Sequence, residues 1–205
     1  LETIGAHAFY HSSIENLSLP SNLQTIGDYA FAYSSKLVNI TTFPNSMTEL
    51  GKFAFSGCSI LESLSSFPTN LITISEGTFK DCEKLTSKFT FPSDLTEIGP
   101  EAFYGCRMIN IKELVIPETV TNIGAFAFYG CSKIERIQFN SKLDTISDSC
   151  FRDCENLESV DIPNNIQVVG SSAFYNSGLT TVTFNEGLRK IGENSFRLCH
   201  LNGTI

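Results

Sequence analysis

The chain has 205 residues and a formal net charge of -8. It is long enough for one sizeable domain, and its negative charge argues against nucleic acid or an acidic membrane surface as a partner. Phe is plentiful at 17, Trp is absent, and no run approaches the ~18 apolar residues of a transmembrane helix.

The first element is a short motif that opens at Ile4-Gly5 and runs through Ala8 and Phe9 to Ser12. An extended stretch follows, Ile14 to Pro20, and the chain returns through Leu23 to Ile26, where the motif starts again. The repeat Phe residues are Phe9, Phe31, Phe55, Phe79, Phe103, Phe128, Phe151, Phe174 and Phe196, at spacings of 22 to 25 residues. Five residues before each Phe stands an aliphatic, followed by Gly or Ser. A small residue, most often Ala, immediately precedes the Phe. Self-similarity at this period marks a solenoid.

Each repeat predicts two halves. In the first, Ile, Ala and Cys or Ser fall four residues apart, which places them on one face of one or two turns of α or 3-10 helix. The Gly after Ile allows a tight corner or a left-handed φ. In the second half, stretches such as Leu157 to Pro163 and Leu179 to Phe184 alternate apolar and polar residues with the period of a strand. Pro20, Pro44, Pro68, Pro92, Pro117 and Pro163, or Asn140 and Asn185, mark the turn that ends it. Leu37 to Pro44 and Leu61 to Pro68 carry an extra residue, which predicts a bulge with Ile40 and Leu64 as alternative inward residues.

The expected fold is therefore an α/β-type solenoid, with a parallel strand sheet on one face and short helical or 3-10 turns on the other. Stacked coils bury what one coil cannot. Residues 1–205 form one solenoid of about nine repeats. Its ends are already in the repeat pattern, so we expect a piece of a longer array without its caps, with Phe9 and Phe196 at the ends.

Six of the seven Cys, namely Cys58, Cys82, Cys106, Cys131, Cys154 and Cys199, lie three residues after the repeat Phe, where Ser12, Ser34 and Ser177 stand in other repeats. A position shared by Cys and Ser asks for a small side chain and does not demand a bridge. Free, buried thiols are the expectation, with disulfides the alternative. A row of thiols along a solenoid does not gather around one ion.

The motif I-G-x-x-A-F-x-x-C-x-x-L-x-x-V-x-I-P resembles the BspA-like, or Treponema pallidum, class of leucine-rich repeats. "IGENSFRLC", "IGDYAFAYSSKL" and "IGAFAFYGCSKIERIQF" carry the resemblance, which covers essentially the whole chain. It implies a curved solenoid with the strands on one face. It also implies a surface-anchored or secreted protein of a mucosal bacterium or parasitic protist, with adhesion to host matrix proteins or other microbes as a recurring role. No catalytic residue or cofactor follows from it.

Residue chemistry points the same way. His7 and His11 have zinc-like i,i+4 spacing, but Ala-Phe-Tyr lies between them in place of a Glu, which favours two ordinary convex-side residues. The scattered acids lack the calcium-repeat pattern and read as solubilising, and no nucleophile elbow or phosphate loop occurs. Function is then recognition. Outward strand residues two and four before the turn form two columns, one from Ser18 to Thr183 and one through Asn16, Ile40, Leu64 and Lys88 to Thr181. Within them the candidate partner-binding face is Lys88, Thr90, Glu113, Val115, Arg136, Gln138, Ser159 and Asp161. It suits a protein, such as an extracellular-matrix or host-surface protein, or a glycan held through hydroxyls. The opposite side carries aromatics, among which Phe53 and Phe126 either form a second contact surface or fill gaps between turns. Glycosylation sequons stand at Asn16, Asn39 and Asn202. The leading reading is an adhesive recognition module at the cell surface or outside it. An intracellular or periplasmic scaffold and a structural spacer are the alternatives.

Overall fold

A computed structural model describes residues 1–64 and 66–202. Nine coils stack into a parallel β-solenoid. The repeat phenylalanines form one continuous column, with neighbouring ring centroids 5.0 to 5.7 Å apart and planes within 13° of parallel. Those from Phe31 to Phe174 are fully buried, Phe9 is exposed and Phe196 is half-buried. The aliphatic and Ala columns pack around them, so the core is a rod along the stacking axis.

Two parallel ladders run from coil to coil. The anticipated strand face consists of Asn16–Leu17, Asn39–Ile40, Ser63–Leu64, Glu113–Val115, Arg136–Gln138, Ser159–Asp161 and Thr181–Thr183. The second ladder, which the sequence reading takes for a plain return, is formed by the pairs that precede Gly or Ser, as in Thr3–Ile4, Thr25–Ile26 and Glu49–Leu50.

The turns correct the α/β description, because no helix occurs among the described residues. Two residues of every turn are left-handed, two before and two after the Phe, as at Tyr29 (φ 55) and Tyr33 (φ 58). A left-handed residue every fourth position stops a helix from propagating. The backbone donors then alternate in direction. Ala30, Ala32 and Ser34 N–H bond three residues back to Gly27, Tyr29 and Phe31 O, while Tyr29, Phe31 and Tyr33 N–H bond to Lys52, Ala54 and Ser56 O of the next coil. The turn is thus a third coil-to-coil contact, with its donors shared between local and stacking bonds.

The Gly after Ile is not left-handed; the positive-φ glycines are Gly57, Gly77, Gly105 and Gly130. What it provides is close approach. A Cβ on Gly51 would lie 2.5 Å from Asp28 N of the preceding coil.

The Cys column is explained by one contact. Each Sγ–H points at the carbonyl of the Phe in the preceding coil, Cys58 to Phe31 O at 3.3 Å and Cys106 to Phe79 O at 3.1 Å, and Ser34 Oγ donates to Phe9 O in the same way. All seven cysteines are free, and only Cys199 is less than fully buried. Asn140 replaces the turn Pro by hydrogen bonding alone. Its Nδ2 donates to Pro117 O and Val120 O, and its Oδ1 accepts from the Lys142 and Leu143 N–H groups.

The extra residue of the second coil sits between Ile40 and Phe43. Both of these are buried, and Thr41 and Thr42 are exposed. Ile40 and Leu64 are therefore inward, as the bulge alternative anticipates, and not members of an outward column. Ser65, the bulge position of the third coil, lies outside the described residues.

Candidate functional site

The strand face is not one continuous sheet. It divides into a three-strand group ending at Ser63–Leu64, a pair formed by Glu113–Val115 and Arg136–Gln138, and a pair formed by Ser159–Asp161 and Thr181–Thr183. The intervening coil, with Lys88 to Phe91, contributes no strand. The cause is local. In most other coils the third residue after the anchoring aliphatic points inward, as Ile40 follows Leu37 and Val160 follows Leu157. After Leu85 that position is Lys88, whose charge resists burial. The segment slips by one residue, which exchanges its faces: Lys88 and Thr90 are exposed, and Phe89 and Phe91 turn half inward. The next coil is longer, with Ile111 as an additional buried residue.

The eight candidate residues are all exposed and line three adjoining depressions. Lys88, Thr90, Glu113 and Arg136 border one of about 590 Å³. Thr90, Glu113 and Val115 border a second of about 420 Å³ with an apolar floor of Phe89, Phe91, Ile111 and Leu114. Glu113, Arg136, Gln138, Ser159 and Asp161 border a third of about 360 Å³. In register, Glu113 lies opposite Arg136 and Val115 opposite Gln138. Ser159 and Asp161 belong to the next strand pair, joined to the Arg136 strand through the Glu158 N–H to Glu135 O bond at 3.2 Å. Lys112 on the rim is paired with Glu135 at 2.9 Å. Among the described residues, neither Lys88 nor Arg136 has a carboxylate partner.

Phe89, Phe91, Ile111 and Lys112 are absent from the sequence-based set. The available signal was "LTSKFTFP", which lacks an aliphatic three residues after Leu85, and the longer spacing from Ile109 to Pro117.

The opposite side offers less. Phe53 and Phe126 are half-buried between turns, Phe53 stacked on Tyr29 at 5.0 Å. His7 and His11 stack separately on Tyr29 and Tyr33 at 5.1 Å. Among the described residues no cluster of three or more His, Cys, Asp or Glu is placed to hold a metal ion. Burial raises the thiols out of the reactive range, that of Cys58 to about 12. Of the sequons, Asn39 has its Nδ2 bonded to Asn16 Oδ1 at 3.0 Å and its Oδ1 accepting from Ser63 Oγ, a polar ladder along the strands. Asn202 is exposed, and the rest of its sequon lies outside the described residues. No helix among the described residues is long and apolar enough to cross a membrane.

Three comparisons place this geometry among known proteins. The family model for the BspA type leucine rich repeat region matches residues 2–112 and 86–202. No curated protein sequence matches significantly. Solved structures with the same fold include a leucine-rich-repeat protein of T. pallidum, 24% identical with a TM-score of 0.72 over 85% of this chain and 80% of that one. A leucine-rich cell surface protein of Faecalibacterium prausnitzii is 21% identical, with a TM-score of 0.58 over 92% of this chain and 66% of that one. The pneumococcal vaccine antigen PcpA is 20% identical, with a TM-score of 0.51 over all of this chain and 61% of that one. A family model that spans nearly every coil, together with the stacked Phe and Cys columns, shows that the chain belongs to the BspA-type leucine-rich-repeat family.

Proposed function

We propose that the chain is a non-catalytic recognition module of a cell-surface or secreted protein, and that it binds a macromolecule of a host or neighbouring cell across its strand face. The observation that carries this reading is the run of three adjoining depressions, bordered by outward side chains from five successive coils. Such a face is broad, mixed in charge and has an apolar floor, which suits a protein contact better than a small ligand. Thr90, Ser159 and Thr181 also offer hydroxyls to a glycan. A surface location is supported by the F. prausnitzii relative, described as a cell surface protein, and by the pneumococcal one, described as a vaccine antigen.

The test is binding of the folded chain to immobilised extracellular-matrix proteins and host-cell surfaces, beside a variant with Lys88, Glu113 and Arg136 all changed to Ala. Saturable binding that the variant loses supports the reading. Binding that the variant retains moves the site to the turns, and no binding favours a spacer.

A second reading, an intracellular or periplasmic scaffold, is favoured by the seven free cysteines. Protease treatment of intact source cells separates the two. Release of peptides from this chain before lysis supports the surface, and release only after lysis supports the scaffold.

A further inference from the structure

The gap in the strand face permits a narrower statement about the partner, one that rests on the strand-face reading above. The coil of Lys88 and the coil of Glu113 are joined on two sides. Thr73 and Ile74 pair in register with Glu97 and Ile98, and Phe79 and Asp81 N–H bond to Ala102 and Tyr104 O. On the third side they are open. Among the described residues, no backbone hydrogen bond crosses from residues 86–92 to residues 109–117. The Glu113–Val115 strand uses the Lys112 and Leu114 carbonyls and the Leu114 and Ile116 N–H groups toward Arg136–Gln138. Strand geometry turns the N–H and C=O of Glu113 and Val115 the other way, toward the gap, where they have no backbone partner among the described residues. An edge of this kind is a template for an added strand.

Two further features select what is added. The floor is apolar: Phe89 lies 4.8 Å from Phe67 and 5.5 Å from Phe103, ring centroid to ring centroid, and Val115 is 50% exposed at the mouth. The rim is basic. Lys88 and Arg136, both without a carboxylate partner among the described residues, flank the larger depression, Lys112 beside them is paired with Glu135, and Glu113 is the one carboxylate in the lining, in a chain whose net charge is -8. Local charge opposite to that of the whole chain attracts acidic partners to this one place.

We infer that the gap is a docking slot for an extended acidic peptide segment. The segment pairs its backbone with the Glu113–Val115 edge, seats one apolar side chain against Phe89, Ile111 and Val115, and sets flanking carboxylates on Lys88 and Arg136.

Panning a random dodecapeptide phage library on the folded chain tests this, followed by affinity measurement of synthetic copies against Val115→Glu and against the double variant Lys88→Glu, Arg136→Glu. All three positions are exposed, and thermal melts of the variants confirm that they fold. The expected result is enrichment of peptides with an apolar residue flanked by Asp or Glu, a loss of about tenfold or more in affinity for each variant, weaker binding at high salt, and slowed amide exchange at Glu113 and Val115. Enriched peptides without acidic bias that still fail on Val115→Glu overturn the acidic partner and leave strand-face recognition standing. Peptides indifferent to both variants overturn the slot. An absence of enriched peptides, beside macromolecular binding that the Lys88, Glu113, Arg136 triple Ala variant loses, overturns the slot in favour of a folded partner surface.

Discussion

Ser147 Oγ donates to the Ile123 carbonyl of the preceding coil, a bond that elsewhere belongs to a backbone N–H. Gly27, Gly51, Gly99, Gly124, Gly170 and Gly192 each donate their N–H to the aliphatic carbonyl one coil back at 2.7 to 2.8 Å. Ser75 and Ser147 occupy the same position and do not. The second ladder is interrupted at these two coils, between Leu50 and Ile74 and between Ile123 and Ile146. The reason is the Cβ. At Gly170 it would lie 2.6 Å from Asp148 N, so a coil with a side chain there stands off, and at Ser147 the hydroxyl bridges the difference.

Gly170→Ala should accordingly destabilise the chain by about 1–3 kcal/mol, the cost of forcing a packed backbone apart. Ser147→Gly should stay within about 1 kcal/mol of the parent, because the regained backbone bond offsets the entropy of Gly. Denaturant unfolding measures both. Amide exchange at position 147 should slow in Ser147→Gly, and unchanged exchange would show that the ladder stays open for another reason.

The Phe column predicts a gradient. Phe103→Ala, at a fully buried position stacked on both sides, should cost about 3–5 kcal/mol. Phe9→Ala, at a position 39% exposed with one stacking neighbour, should cost clearly less in the same unfolding experiment. Equal costs would refute burial and two-sided stacking as what sets the contribution of each Phe.

The thiols predict a pH dependence. Burial raises the Cys58 thiol from 9.0 to about 12 and the other buried thiols in the same direction. The folded chain therefore holds these protons where the unfolded chain has released them. Their contribution is fully present below pH ~9 and is lost as pH rises toward and beyond 12. Stability should fall over that window, and replacement of Cys58 and Cys106 by Ser, which keeps a donor to the Phe carbonyl, should flatten the fall. In native protein at pH ~8, a thiol reagent should reach Cys199 first; rapid reaction at Cys106 would contradict its burial.

Asn140 predicts a specific loss. It is 2% exposed with both ends of its amide bonded to backbone, so Asn140→Ala should cost about 1–3 kcal/mol by leaving those groups unpaired. A melt unchanged by the substitution would show that water replaces the amide without loss.

The stacking columns were legible because nine repetitions of Ile, Ala, Phe and Cys at a near-constant period leave one way to bury them all. The helical turns were a misreading of the same residues. Ile26, Ala30 and Ser34 are all buried as the four-residue spacing implies, but that spacing fits a turn with two left-handed residues as well as it fits a helix. The choice lies in donors such as Phe31 N–H, whose acceptor, Ala54 O, is in another coil. The outward column through Ile40 and Leu64 failed because it was counted back from Pro across an extra residue, whereas counting forward from Leu37 and Leu61 places them inward.

By itself, then, the sequence determined the coil, the order of stacking and which side chains fill the rod, since these follow from periodicity and apolar burial alone. Only the tertiary structure decided where the ladders close and where they part, at Ser75, Ser147 and Lys88. Closure depends on backbone approach across coils to within a few tenths of an ångström, and on one-residue slips such as that at Lys88. The first is set by the coil stacked alongside, 22 to 25 residues away in the chain, and the second starts from a local change of residue type whose outcome the stack decides.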